Sequence, residues 1–148
     1  MRFIKGILLF LLGGSGYVLL EFLWRGWSHG SMFLAGGLCF LLVGRLGTLR
    51  PRLPLLPRAL LGAVAITAVE LLAGLLINRD YGVWDYRDLP GNFHGQICLL
   101  FSLFWMPVAV GAMALYCRLE RLLDRILRID AVKKIQYNKV VKSREERL

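Results

Sequence analysis

Glu70 is the residue whose type and place in this chain most demand a chemical reason. It stands inside the apolar run from Ala59 to Asn78, with Ala59, Ala63, Thr67 and Gly74 spaced around it at steps of four, four, three and four. On a helix that spacing puts all five on one face. A carboxylate turned toward hydrocarbon at the centre of a span costs about 2.5–3.5 kcal/mol on insertion scales, so this face is expected to look into protein. Two roles stay open: a station on an ion, proton or substrate path, or a carboxylate bonded to Tyr17, Thr67 or Arg25 across the bundle.

Other polar groups gather near the same end. Gly13, Tyr17, Glu21 and Arg25 recur every four residues, so one helix face carries a small residue, a hydroxyl, a carboxylate and a guanidinium, with Glu21 and Arg25 spaced as an ion pair. His29 and His94, each followed by glycine, are able to titrate near neutral pH, but two histidines alone make no metal site. The stretch Val83–Leu99 packs Asp85, Asp88, Asn92 and His94 together with Trp84, Tyr86 and Phe93 between two apolar segments. It reads as a structured cap. Pro90-Gly91-Asn92 is turn chemistry, the rings suit the boundary of a bilayer, and Asp85, Asp88 and Asn92 are read as turn and capping residues or as groups lining a path.

Several chemistries are excluded. No Walker A sequence occurs, so the chain brings no P-loop for ATP, and no His-Glu-x-x-His, Gly-x-Ser-x-Gly or paired-cysteine signature is present. Nothing points to catalysis, a cofactor or a resident metal. Cys39, Cys98 and Cys117 lie in or beside apolar segments at no ligand spacing and read as small packing residues. The net charge of +9 does not mark a nucleic-acid surface, because the Lys and Arg sit at the ends of apolar segments and in the tail. Lipid headgroups are the expected anion.

The elements that must position these residues follow from the apolar runs. With 148 residues, 57% of them hydrophobic, and a mean hydropathy of +0.57, the chain reads as an all-α, polytopic membrane protein. Four transmembrane helices are expected, at about 3–23, 30–46, 59–78 and 96–116, as one domain over 1–117, followed by a basic tail over 118–148. The first apolar run continues past any signal-like stretch without a cleavage motif and reads as an uncleaved helix. Gly30, Gly37 and Gly44 repeat every seven residues and read as a packing seam. The segment Arg45–Arg58, with three prolines, reads as a loop, and Pro107 as a bend in the fourth helix. In the tail, Leu119, Leu122, Leu123, Ile126 and Ile129 form an apolar face beside Arg118, Arg121, Arg125 and Arg128, an amphipathic basic helix suited to anionic lipid or to a cytoplasmic partner. Positive charges gather on the side of the termini, which places both in the cytoplasm.

A weak internal duplication is also visible. Glu21, then His29-Gly30, then a helix with Cys39 parallels Glu70, then His94-Gly95, then a helix with Cys98. Such a repeat would bring Glu21, Glu70, His29 and His94 toward a shared outer vestibule.

The pattern Tyr17-x-x-x-Glu21-x-x-Trp24-Arg25-Gly26, Ser28-His29-x-Ser31-Met32, Gly36-Gly37, Thr67-x-x-Glu70, then Val83-Trp84-Asp85-Tyr86-x-Asp88-x-Pro90-x-Asn92-x-x-Gly95-x-Ile97-Cys98-Leu99 and Ser102-x-x-Trp105 resembles the type IV ABC-transporter permease family of bacterial membrane proteins. The resemblance spans residues from about 10 to 110. Where that family shows Ser after Trp-Asp-Tyr, this chain has Arg87, placed to pair with Asp85 or Asp88. The resemblance implies a multi-pass protein of the bacterial plasma membrane and transport powered by a separate ATPase; a homo-oligomer is expected separately, because four helices enclose little room. A membrane-embedded lipid-binding or lipid-modifying enzyme, with Glu, His and Asp near the outer interface, is the alternative, as is an assembly or scaffold subunit. An apolar-walled cavity reaching Glu70 would favour transport, and a lateral opening at His29 and His94 would favour lipid chemistry.

Overall fold

The computed structural model describes residues 2–49 and 53–145, with the side chains of 3–49 and 53–128. Arg50 and Arg52 of the expected loop, and the Ile129 side chain of the tail's apolar face, lie outside the described residues. The elements in order are α1 (Arg2–Arg25), α2 (Gly30–Thr48), α3 (Leu55–Ile77), β1 (Asn92–Phe93), β2 (Ile97–Cys98) and α4 (Leu99–Glu145). All four helices are long and apolar enough to cross a membrane, so the fold is that of an all-α polytopic membrane protein.

Three boundaries differ from the expected ones. Arg45–Thr48 belong to α2 and Leu55–Arg58 to α3, which narrows the loop between them. Pro54 precedes α3 and Pro57 sits in its first turn, where a missing N–H leaves no helical bond unmade. The third difference is at α4, which begins at Leu99 because Gln96–Cys98 are taken by a hairpin. Asn92 pairs with Cys98 and Phe93 with Ile97, antiparallel, with His94 (φ 51°) and Gly95 (φ 62°) at the tip. The Gln96 N–H donates to the Phe93 carbonyl to close it. Two consecutive positive φ values are what a tight hairpin turn demands, and His94 tolerates one better than a β-branched residue would.

At its far end α4 does not stop at Tyr116. It runs unbroken to Glu145, so the basic amphipathic stretch continues the last span instead of forming a separate element.

Helix α2 is the centre of the bundle. It packs on α1, α3 and α4, and α3 packs on α4, while α1 meets α4 only lightly. Val43, Ile66, Ala109 and Met113 form one buried cluster between α2, α3 and α4, and Leu9, Phe40 and Tyr116 form a second between α1, α2 and α4. Large apolar side chains such as Leu20, Leu23, Leu72, Leu76, Leu103 and Phe104 point outward, as a lipid environment allows.

Close approach on α2 relies on missing side chains. Gly36 lies against Tyr17, Gly37 against Phe10 and Gly44 against the Tyr116 ring, while Gly13 of α1 lies against Phe40. Gly30, the first residue of the expected seven-residue repeat, faces open space and takes no part. Gly44→Val should therefore destabilise the bundle by about 1–3 kcal/mol through overpacking against Tyr116. Gly30→Val, by the same thermal melt in detergent, should change stability by less than about 0.5 kcal/mol.

Candidate functional site

The end of the bundle where α1 and α3 finish and α4 begins is closed by residues 78–98. The closure starts from Asn78, which is fully buried and follows α3. Its Nδ2 donates to the Trp84 carbonyl at 2.7 Å and to Gln96 Oε1 at 3.0 Å, and its Oδ1 accepts the Val83 N–H at 2.8 Å. Gln96, buried beside it, donates from Nε2 to the Asn78 carbonyl at 2.9 Å. Trp84 Nε1 donates to the Gln96 carbonyl. One amide pair thus satisfies the backbone groups that an irregular segment would otherwise bury unpaired.

This closure delivers Tyr86 onto Glu70. The Tyr86 hydroxyl donates to Glu70 Oε1 at 2.8 Å, and Trp105 Nε1 of α4 donates to Glu70 Oε2 at 3.1 Å. The Tyr86 ring stacks on Phe101, with centroids 5.0 Å apart and planes 16° apart. Each carboxylate oxygen therefore has one neutral donor, and the three segments carrying them are locked at a single point. Burial pushes the Tyr86 phenol above its ordinary value, and the Glu70 charge adds to the shift, so the hydroxyl keeps its proton for this bond. The partners anticipated from spacing were Tyr17, Thr67 or Arg25, and none of these bonds Glu70. Thr67 shares its helix face, with its Oγ1 buried and without a partner among the described residues.

Glu21 is held separately. Arg25 Nη2 donates to its Oε1 at 2.7 Å, and Ser28 Oγ donates to Oε2. The same guanidinium reaches the closure, with Nη1 donating to the Val83 carbonyl at 2.7 Å, and lies over the Trp27 ring. An ion pair on α1 thereby fastens α1 to the segment that also holds α3 and α4.

The remaining candidates make local bonds. His29 precedes α2, its Nδ1 accepting the Ser31 N–H. His94 occupies the hairpin tip, exposed and edge-on to Phe93, so the two histidines stand in unlike local structures. Asp85 accepts from the Arg87 side chain and backbone N–H, and these bonds hold its carboxyl below the usual range. Asn92 donates to the Arg87 and Leu89 carbonyls and accepts the Gly95 N–H. Asp88 is exposed. Gly95 lies against Arg87 and Tyr81, which leaves no room for a side chain. Among the described residues no group of three or more His, Cys, Asp or Glu converges as a metal would require.

A family model described as "Putative ABC-transporter type IV" matches residues 3–137, which includes every residue of the closure and both carboxylates. The chain belongs to that family. No curated protein and no solved structure matches the chain. Membership in a type IV ABC-transporter family, together with four membrane-crossing helices, makes this a multi-pass membrane protein of an ABC-transporter family.

Nothing in the sequence pattern marks Asn78 or Gln96 as different from other amides at segment ends, yet the closure depends on them. Asn78→Ala should leave the Val83 N–H without its acceptor and the Trp84 carbonyl and Gln96 Oε1 without the Asn78 donor, at about 1–3 kcal/mol for each buried group. A melt in detergent should show the loss, and proteolysis within 79–98 should quicken relative to Asp85→Ala.

Proposed function

We propose that the chain is the membrane-embedded permease component of a transporter driven by a separate ATPase, with Glu70 as the polar group on the path. The observation that carries this reading is the bonding of Glu70: a carboxylate on a helix long and apolar enough to cross a membrane, whose hydrogen-bond donors among the described residues are the neutral Tyr86 and Trp105, with the Thr67 hydroxyl, buried and without a partner among them, one turn away. Neutral donors bring no positive charge to the carboxyl group, so its two oxygens stay open to a cation or a proton. A proton or cationic cargo arriving at Glu70 competes with both hydrogen bonds, and its binding loosens the attachment of the closure to α3 and α4. Glu21, compensated by Arg25, belongs to the grip on α1 and serves the path indirectly.

The tail supplies the second half of the reading. Past Tyr116, α4 continues to Glu145, about 43 Å at 1.5 Å per residue. Along the first part of this length Arg118, Arg121, Arg125 and Arg128 form an exposed stripe. Such a stripe suits an acidic face of a cytoplasmic ATPase better than a lipid plane. The gathering of Lys and Arg at this end supports cytoplasmic termini in a bacterial plasma membrane, and two copies would enclose a path that four helices are too few to surround.

Glu70→Gln keeps the shape, since an amide can accept from Trp105 and donate to Tyr86. In proteoliposomes carrying the co-purified ATPase, this variant should lose transport to background while its melting temperature and ATPase association stay unchanged. Normal transport would reduce Glu70 to a structural bond. Charge reversal at Arg121 and Arg125 should release the ATPase on co-purification from native membranes without altering flotation on anionic vesicles. The opposite pattern would assign the arginines to lipid.

A further inference from the structure

Three buried side-chain atoms have no hydrogen-bond partner among the described residues: Arg25 Nε, Arg58 Nε and Thr67 Oγ1. The two guanidinium nitrogens can only donate, so the Thr67 hydroxyl is the vacant acceptor of the three. It stands three residues before Glu70 on α3, and helical side chains lean toward the N-terminus, so the Glu70 carboxyl leans back over the turn that carries Thr67. A buried hydroxyl left unmet is costly, and a vacant acceptor beside a carboxylate finds its use when that carboxylate takes up a proton. We propose that Glu70 and Thr67 form a proton-binding site, in which the neutral Glu70 carboxyl donates its O–H to the Thr67 hydroxyl oxygen. This rests on the reading of Glu70 as the group on the path, and it names the proton as what that group takes.

The hydrogen bonds already made select the ligand. In the charged form Oε1 accepts from Tyr86 and Oε2 from Trp105. Uptake of a proton turns one of these oxygens into a donor, which then needs an acceptor. The Trp105 indole N–H can only donate, and the Tyr86 hydroxyl is already donating to the same carboxyl group. Thr67 Oγ1 can accept without any existing bond being given up. A divalent cation would need about six oxygen ligands, against two carboxylate oxygens, one phenol and one hydroxyl here, and the Trp105 N–H turns the positive end of its dipole toward it. The titratable groups on the elements around the site are Tyr86 in the closure, Cys39 on α2, packed against the cluster that holds Ile66, and Tyr17 on α1, lying against Gly36. Tyr and Cys are uncharged at their ordinary values, and Glu21 and Arg25 of α1 balance each other.

The test is an infrared pH titration of the purified full chain in liposomes, following the C=O band of a protonated carboxyl group and assigning to Glu70 the part that Glu70→Gln removes. Thr67→Val keeps the branched shape and removes the acceptor of the neutral form, so the midpoint should fall by about 0.7 pH unit, a roughly fivefold loss of proton affinity from the ~1 kcal/mol of one hydrogen bond. The melting temperature should hold or rise, because an unmet hydroxyl has gone. Thr67→Ser should restore the midpoint. Tyr86→Phe takes a donor from the charged form and should move the midpoint upward instead. A midpoint that Thr67→Val leaves in place or raises, or a Glu70 that never protonates while the chain stays folded, would overturn the proposal. So would sodium or magnesium ions weakening the band at fixed pH, since the site would then take a cation. Loss of transport in Glu70→Gln would survive each of these results, which keeps the failure of the proton site distinct from failure of the path.

Discussion

A carboxylate on a helix long and apolar enough to cross a membrane has to find its donors inside the protein, and two hydrogen bonds supply them to Glu70. A carboxylate on α3 needs donors on both oxygens, and they come from parts of the chain far apart in sequence, Tyr86 in the closure and Trp105 on α4. The requirement then propagates. Tyr86 reaches Glu70 only if residues 79–95 fold back over the bundle, and that fold-back buries backbone groups that Asn78 and Gln96 must meet. Bonding of the carboxylate and integrity of the closure are the same problem.

The other end of the bundle solves its packing differently. Apolar helices in lipid gain nothing from merely touching, so contact depends on shape. Along α2, glycines at 36, 37 and 44 admit rings from α1 and α4, and the second buried cluster, with Tyr116 beneath Gly44, locks α4 against α2. Lys5, brought close to Glu120 and Asp124, adds an electrostatic tie between α1 and α4 where the two helices otherwise meet little. Fixed helices at this end and a hydrogen-bonded closure at the other divide the protein into a packed half and a polar half.

The spans were legible in the sequence because hydropathy and length suffice for them, and the inward face of α3 was legible because a lone carboxylate among small residues leaves few options. Partners were harder to read. Tyr86 and Trp105 stand 16 and 35 residues from Glu70, and helical spacing speaks only of neighbours three or four positions away. The hairpin was hidden for a related reason: two-residue strands show no alternation, and His94 carries no sign that it takes a positive φ. The apparent repeat of His-Gly before each return helix misled because identical dipeptides serve as a helix cap in one case and a turn tip in the other. The continuity of α4 through residue 117 was masked by the change from apolar to charged composition, which alters what surrounds a helix without ending it.

That continuity has a mechanical meaning. Trp105, which grips the carboxylate, and the exposed arginines from 118 to 128 ride on one helix. Pro107, two positions beyond Trp105, removes a backbone bond between them, where a helix bends most easily. A bend there sets the direction of the arginine-bearing half while leaving the indole in its grip.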